Sequence, residues 1–189
     1  MNYRITGTGS CIPDIAKKNS DFLKNKFLDT DGGKFKSSNS EIIDKFNSIT
    51  GIYERRYASD EINCSDLAAV AADLAINDSK LDQETLDYII VAHNAGDISC
   101  SSGQVDTLPS VASKVKAKLK IKNPNCVAYD IICGCPGWVE GIIQAKSFIK
   151  SGMAEKCLVI GCDTLSRILD ENDRDSMIYA DGAGAIILE

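Results

Sequence analysis

The sequence predicts an α/β fold: a mixed, mostly parallel sheet with helices on both faces. Three observations carry this. The runs Tyr88-Ile-Ile-Val-Ala, Val127-Ala-Tyr-Asp-Ile-Ile and Cys157-Leu-Val-Ile-Gly are continuously apolar, as in strands buried on both faces rather than one. Helical patterns lie between these runs, and alternation of strand and helix builds a layered α/β domain. The chain has 189 residues, 44% hydrophobic and 25% charged, enough to enclose a real core.

Each element follows from its residues. Short helices are expected over Ser20–Lys26 and Glu41–Ile49. Between them, the segment Phe27 to Ser40 is rich in turn formers and reads as an exposed loop. Ser65 to Ile76 is rich in Ala and Leu and predicts a helix with Ser65 at its N-cap. Lys114-Val-Lys-Ala-Lys-Leu-Lys-Ile-Lys alternates like a strand, yet Pro109-Ser110 makes a good helix start and the residues favour helix. We read helix, with the five lysines as a solvated face. Trp138, Ile142, Ala145 and Ile149 recur at helical spacing and mark the buried stripe of a helix ending near Gly152. No internal repeat or low-complexity linker interrupts the pattern.

Charge and composition exclude several classes. Lys+Arg total 21 against 27 Asp+Glu, a net charge of −6, which disfavours a general nucleic-acid-binding surface. No apolar run reaches the length of a membrane span. The N-terminus lacks the apolar core of a signal peptide. Eight cysteines are too few for a disulfide scaffold, and several lie in apolar runs as buried reduced thiols. The expected compartment is the cytoplasm.

The chemistry concentrates in Ala128-Tyr-Asp-Ile-Ile-Cys-Gly-Cys-Pro-Gly-Trp-Val-Glu-Gly. A buried strand runs to about Ile132, a tight turn holds Gly134, and a helix begins with Pro136. Cys135 then sits at or beside the helix N-cap. There the free backbone N–H groups and the helix dipole favour an anion, here a thiolate, and can form part of an oxyanion hole. A nucleophilic cysteine and a plain structural thiol both fit this pattern. A metal pair of Cys133 and Cys135 lacks the second paired cluster that structural zinc needs, and Cys133 is expected in the core. His93, the only histidine, ends a predicted strand. It could serve Cys135 as a base, but a hydrogen-bonded histidine at a strand terminus is the better reading. Gly7-Thr-Gly9 and Asp181-Gly-Ala-Gly lack the strand–loop–helix context of a dinucleotide site. Both read as places of close backbone approach.

Five segments, in order, resemble the N-terminal half of β-ketoacyl-acyl-carrier-protein synthase III, the thiolase-like condensing enzymes that initiate fatty-acid synthesis. They are Ile5-Thr-Gly-Thr-Gly-Ser-Cys-Ile-Pro, Thr50-Gly-Ile-Tyr-Glu-Arg-Arg-Tyr-Ala, Tyr129-Asp130 through Cys135-Pro-Gly137, Leu158-Val-Ile-Gly-Cys-Asp163, and Asp173-Arg174 with Tyr179-Ala-Asp-Gly-Ala-Gly-Ala. The resemblance implies a thiolase-like half-domain over residues 1–189 with a loop near 27–40, its C-terminal half absent from this chain. It implies an acyltransferase in which Cys135 takes an acyl group from acyl-CoA and condenses it with malonyl-acyl-carrier protein. It implies substrates rather than a cofactor, and a homodimer of the complete protein with no nucleic-acid or membrane partner.

In the family the catalytic histidine and asparagine lie in the C-terminal half, so the chain is expected to be a fragment that self-acylates without condensing. Arg174, Ile178 and Tyr179 match positions lining the family's pantetheine and acyl channel. Lys45 and Ile49 stand where family members often carry a tryptophan and an arginine that hold adenine. The alternatives are a variant acyltransferase or ketosynthase of a specialised pathway, and a non-catalytic half-domain that pairs with a partner chain.

Overall fold

The structure is a computed structural model that describes residues 3–189. Its elements run β1 (Ile5–Cys11), β2 (Ile15–Lys18), α1 (Asn39–Thr50), β3 (Glu54–Tyr57), α2 (Cys64–Ser79), β4 (Tyr88–His93), β5 (Asp97–Ile98), β6 (Val105–Asp106), α3 (Val111–Lys118), β7 (Val127–Ile132), α4 (Gly137–Ser151), β8 (Cys157–Thr164) and β9 (Asp181–Leu188), with short 3-10 turns between them. One five-stranded sheet, ordered β1-β9-β8-β4-β7, forms the middle layer. β4 pairs parallel with both β7 and β8, and β9 pairs antiparallel with β8 and β1. Four strands therefore point one way and β9 opposes them, the mixed and mostly parallel sheet expected.

Both faces of β4 and β8 are covered, which is why their runs are apolar; β7, expected as a buried strand, lies at the sheet edge with no buried residue. On one face α2 and α3 pack their Ala71, Ala75, Val111 and Val115 on Ile89, Val91, Leu158, Ile160 and Ile187. On the other, α4 brings Ala145 and Ile149 against Ile90, Cys157, Val159 and Ile186. The alternate residues of β4 and β8 thus serve opposite layers. The alanines let α2 lie close on β1, and only glycine fits beneath it. A Cβ at Gly7 would sit 2.2 Å from the Ala75 carbonyl oxygen, and one at Gly9 would sit 2.1 Å from that of Ala71.

A third, smaller core gathers Phe22, Phe27, Ile42, Ile43 and Met177. Phe27 is thereby buried inside the segment read as an exposed loop, and a bridge joins Leu28 to Lys34. Arg55 is buried here, donating to the Met177 carbonyl at 3.0 Å and to Asn19 Oδ1 at 2.7 Å while lying 5.0 Å over the Phe22 ring.

Several local expectations change. The first short helix is a single 3-10 turn, Asn19–Phe22. The N-cap of α2 is Asn63, and Ser65 lies inside the first turn, where its hydroxyl donates to buried Asp97 at 2.9 Å. Three of the five lysines over 114–122 are tied down, while Lys120 and Lys122 are exposed as expected. Lys114 pairs with Asp97 and Asp106, Lys116 donates to the Asn123 and Cys126 carbonyls, and Lys118 pairs with Asp66. The buried stripe of α4 is Gly137, Gly141, Ala145 and Ile149, with Trp138 and Ile142 beside it and half-buried.

Candidate active site

The carboxyl ends of parallel strands leave a crevice, because the connections diverge there to reach helices on either face. In this sheet the crevice is an open cavity of about 260 Å³ lined by Ala92, Gly134, Cys135, Trp138, Gly161–Asp163 and Gly182–Gly184. β7 ends at Ile132, and the chain turns into α4 within four residues. Gly134 makes that turn possible with a φ of +64°, a conformation a side chain would strain. Its carbonyl accepts from the Gly137 N–H at 2.9 Å, and Pro136 caps the helix. Cys135 is left immediately ahead of the N-cap, exposed at the cavity wall. Its neighbour Cys133 is also exposed, contrary to the expectation of a core residue. The turn replaces the strand before residue 133, so the alternation that would have turned Cys133 inward has already ended.

Two groups support the turn from behind. Asn94 donates from its backbone N–H and its side chain to the Asp163 carboxylate, at 2.9 and 2.7 Å. The Asn94 Oδ1 stands 3.5 Å from where a Gly134 Cβ would lie. Burial pushes the Asp163 carboxyl above its usual range, outweighing the Asn94 bonds that oppose it. The Trp138 ring covers Gly161, whose Cβ would come within 3.2 Å of it.

His93 does not serve Cys135. Strand alternation turns Ala92 toward the cavity and His93 to the opposite face. There its Nε2 lies 3.0 Å from the Asp130 carboxylate. Asp130 also accepts the Val111 and Ala112 N–H groups at the start of α3. The histidine and the motif aspartate are thus joined to each other. Asp181 acts as a fastener too, accepting from Ala58 N–H and from both donors of Ser166. Of its following glycines, Gly184 would place a Cβ with nothing within 4 Å, so it faces open space rather than a close backbone.

A second cleft, of about 400 Å³, lies between α1 and the 3-10 turn that precedes β9. It brings Arg174 and Ile178 together with Lys45 and Ile49, residues far apart in sequence. The Arg174 guanidinium lies 4.9 Å over the Phe35 ring. Tyr179 is partly exposed and lies outside this lining. Among the described residues, no cluster of three or more His, Cys, Asp or Glu side chains is placed to hold a metal ion. Burial, reinforced by Asp87, pushes the Cys157 thiol up to about 12.

This geometry has close counterparts. The family model for 3-oxoacyl-[acyl-carrier-protein (ACP)] synthase III matches residues 129–189, the stretch that holds Cys135 and the Asp-Gly-Ala-Gly segment. A beta-ketoacyl-[acyl-carrier-protein] synthase III 1 of Vibrio parahaemolyticus is 38% identical over 189 residues, all of this chain and 52% of that protein. In sequence and in fold the chain is similar to about half of a synthase III. A synthase III of Neisseria gonorrhoeae is likewise 38% identical, with 52% of it covered. The crystal structure of the synthase III from Aquifex aeolicus VF5 superimposes with a TM-score of 0.78 at 34% identity, over 99% of this chain and 53% of that one. A synthase from Burkholderia xenovorans LB400, 23% identical, shares the fold with a TM-score of 0.82. The chain spans about half the length of the curated synthase III relatives it matches. Its architecture is accordingly the thiolase-like one.

Proposed function

We propose that this chain is the cysteine-bearing half of a 3-oxoacyl-[acyl-carrier-protein] synthase III-type condensing enzyme. The observation that carries the reading is the exposed thiol of Cys135 at the strand-to-helix turn, in a cavity at the carboxyl edge of the sheet. The Cys135 sulfur attacks the thioester carbonyl of acyl-CoA, the coenzyme A thiol departs, and the acyl group remains as a thioester on the cysteine. Charge developing on sulfur and on the carbonyl oxygen is favoured by the N–H groups and dipole at the start of α4. In the second half-reaction, malonyl-acyl-carrier protein loses CO₂ and its α-carbon attacks the acyl-cysteine, giving a 3-oxoacyl product and the free thiol.

That second step asks for hydrogen-bond donors to the enolate oxygen. Among the described residues the cavity lining includes no histidine or asparagine. The second cleft, with Arg174, Ile178 and neighbouring Tyr179, holds the pantetheine and acyl portions of the donor. Lys45 and Ile49 in its lining meet the nucleotide end, with the Phe35 and Phe46 rings in the same cleft. The complete protein acts as a cytoplasmic homodimer and needs no further cofactor. No helix among the described residues is long and apolar enough to cross a membrane.

Incubation with acyl-CoA followed by peptide mass spectrometry tests the assignment. The acyl adduct is expected on the peptide carrying Cys135 and is lost in Cys135→Ser. An adduct on any other residue overturns it.

A further inference from the structure

A second pair of sulfurs lies beneath the same cavity. Cys64, the first residue of α2, and Cys162, near the end of β8, are 98 positions apart in sequence, and their Sγ atoms are 3.0 Å apart. A disulfide bond is about 2.0 Å long, so closure asks for a relative shift of about 1 Å. The two thiols are not equivalent. Cys64 is fully enclosed, at 0% exposure, and donates its S–H to the Cys162 sulfur. Cys162, at 5%, is the more accessible of the two; the residue borders the cavity of Cys135, while its side chain turns with Cys64 to the α2 face. A small oxidant that reaches the pair therefore meets Cys162 first.

We propose that Cys64 and Cys162 form an oxidisable dithiol that closes to a disulfide with hydrogen peroxide, and that closure slows the chemistry of Cys135. The Cys162 sulfur attacks one peroxide oxygen, the O–O bond breaks, and the departing hydroxide takes the Cys162 proton and leaves as water. The Cys64 sulfur then attacks the sulfenic sulfur of Cys162. The S–O bond breaks, and the hydroxide takes the Cys64 proton as a second water. Two thiols are oxidised by two electrons, and one peroxide is reduced to two waters. One further feature fits the coupling. Displacement at Cys162 reaches Cys135 through a short chain of contacts: Asp163 is the next residue, it holds both donors of Asn94, and Asn94 backs the Gly134 turn.

The test uses the full-length protein, treated with hydrogen peroxide, quenched with catalase and digested without reduction. A cross-linked peptide joining Cys64 to Cys162 is expected, lighter by two hydrogens and split by dithiothreitol. The rate at which the remaining free Cys135 is alkylated by iodoacetamide is expected to fall at least about fivefold, the lower end of ordinary site-to-site coupling. It recovers on reduction, and it does not fall in Cys64→Ser. If both thiols stay free while Cys135 oxidises, the site is overturned; if the cross-link forms and the Cys135 alkylation rate is unchanged, the coupling is. Neither readout uses an acyl donor, so a failure of the acyl-transfer reading is recorded separately.

Discussion

Asp130 and Asp163 are both half-enclosed carboxylates, yet their surroundings push them in opposite directions. Burial raises each. At Asp130, the His93 hydrogen bond and the N–H groups of Ala112 and Val111 outweigh burial and hold the carboxyl below its usual range. At Asp163 burial prevails over Asn94. Because the folded value at Asp130 is depressed, its bonds stabilise the fold above the unfolded value of about 4, and that contribution is lost as pH falls through the folded value. Asp130→Asn is expected to cost about 2 kcal/mol at pH 7. The gap to the parent then closes toward about pH 3, below the unfolded value, as urea unfolding at the two pH values will show. Both aspartates belong to segments that resemble the family, but sequence position alone could not separate a fastener from a cavity group. Strand alternation decides it, by turning Asp130 toward α3.

At the scale of elements, the contact of α2 with β1 depends on small residues on both sides. Gly9→Ala drives a Cβ onto a helix carbonyl that cannot yield without moving α2, and about 3 kcal/mol of stability should be lost. Gly184→Ala points into open space and should change stability by less than about 0.5 kcal/mol. Urea midpoints of the two variants provide the comparison. Helix α1 forms one wall of the second cleft and begins at Ser38, whose side chain accepts the Glu41 N–H while the Ser38 N–H donates to Glu41. Ser38→Ala should cost about 1 kcal/mol. The lysine-rich run shows why a two-residue period can mislead. Its lysines are long enough to reach Asp97, Asp66 and the 123–126 carbonyls from a helix, so their spacing reflects several partners rather than one exposed face.

For the whole molecule, the sheet ends on β7, a strand whose outer edge is unpaired among the described residues. Next to that edge, Ile132 is 70% exposed, and Val139 and Ile143 on α4 are exposed as well. An apolar edge beside an apolar helix face favours association. The 189-residue chain on its own is therefore expected to self-associate, with a sedimentation coefficient that rises over micromolar concentrations. A constant monomer value would assign this surface no role in packing.

What the residues themselves determined is the layered fold, the strand runs, the helix that ends at Gly152 and the placing of Cys135 at a strand-to-helix turn. These are local or periodic properties, written in the order of neighbouring side chains. Only the tertiary structure decided that His93 belongs to Asp130, that Phe27 is buried, that the 114–118 lysines are tied down, and that Cys64 lies against Cys162. Each of those is a matter of residues distant in sequence coming together. Which residues meet depends on strand order and on which face each side chain takes, and neither can be read from the order of neighbours along the chain.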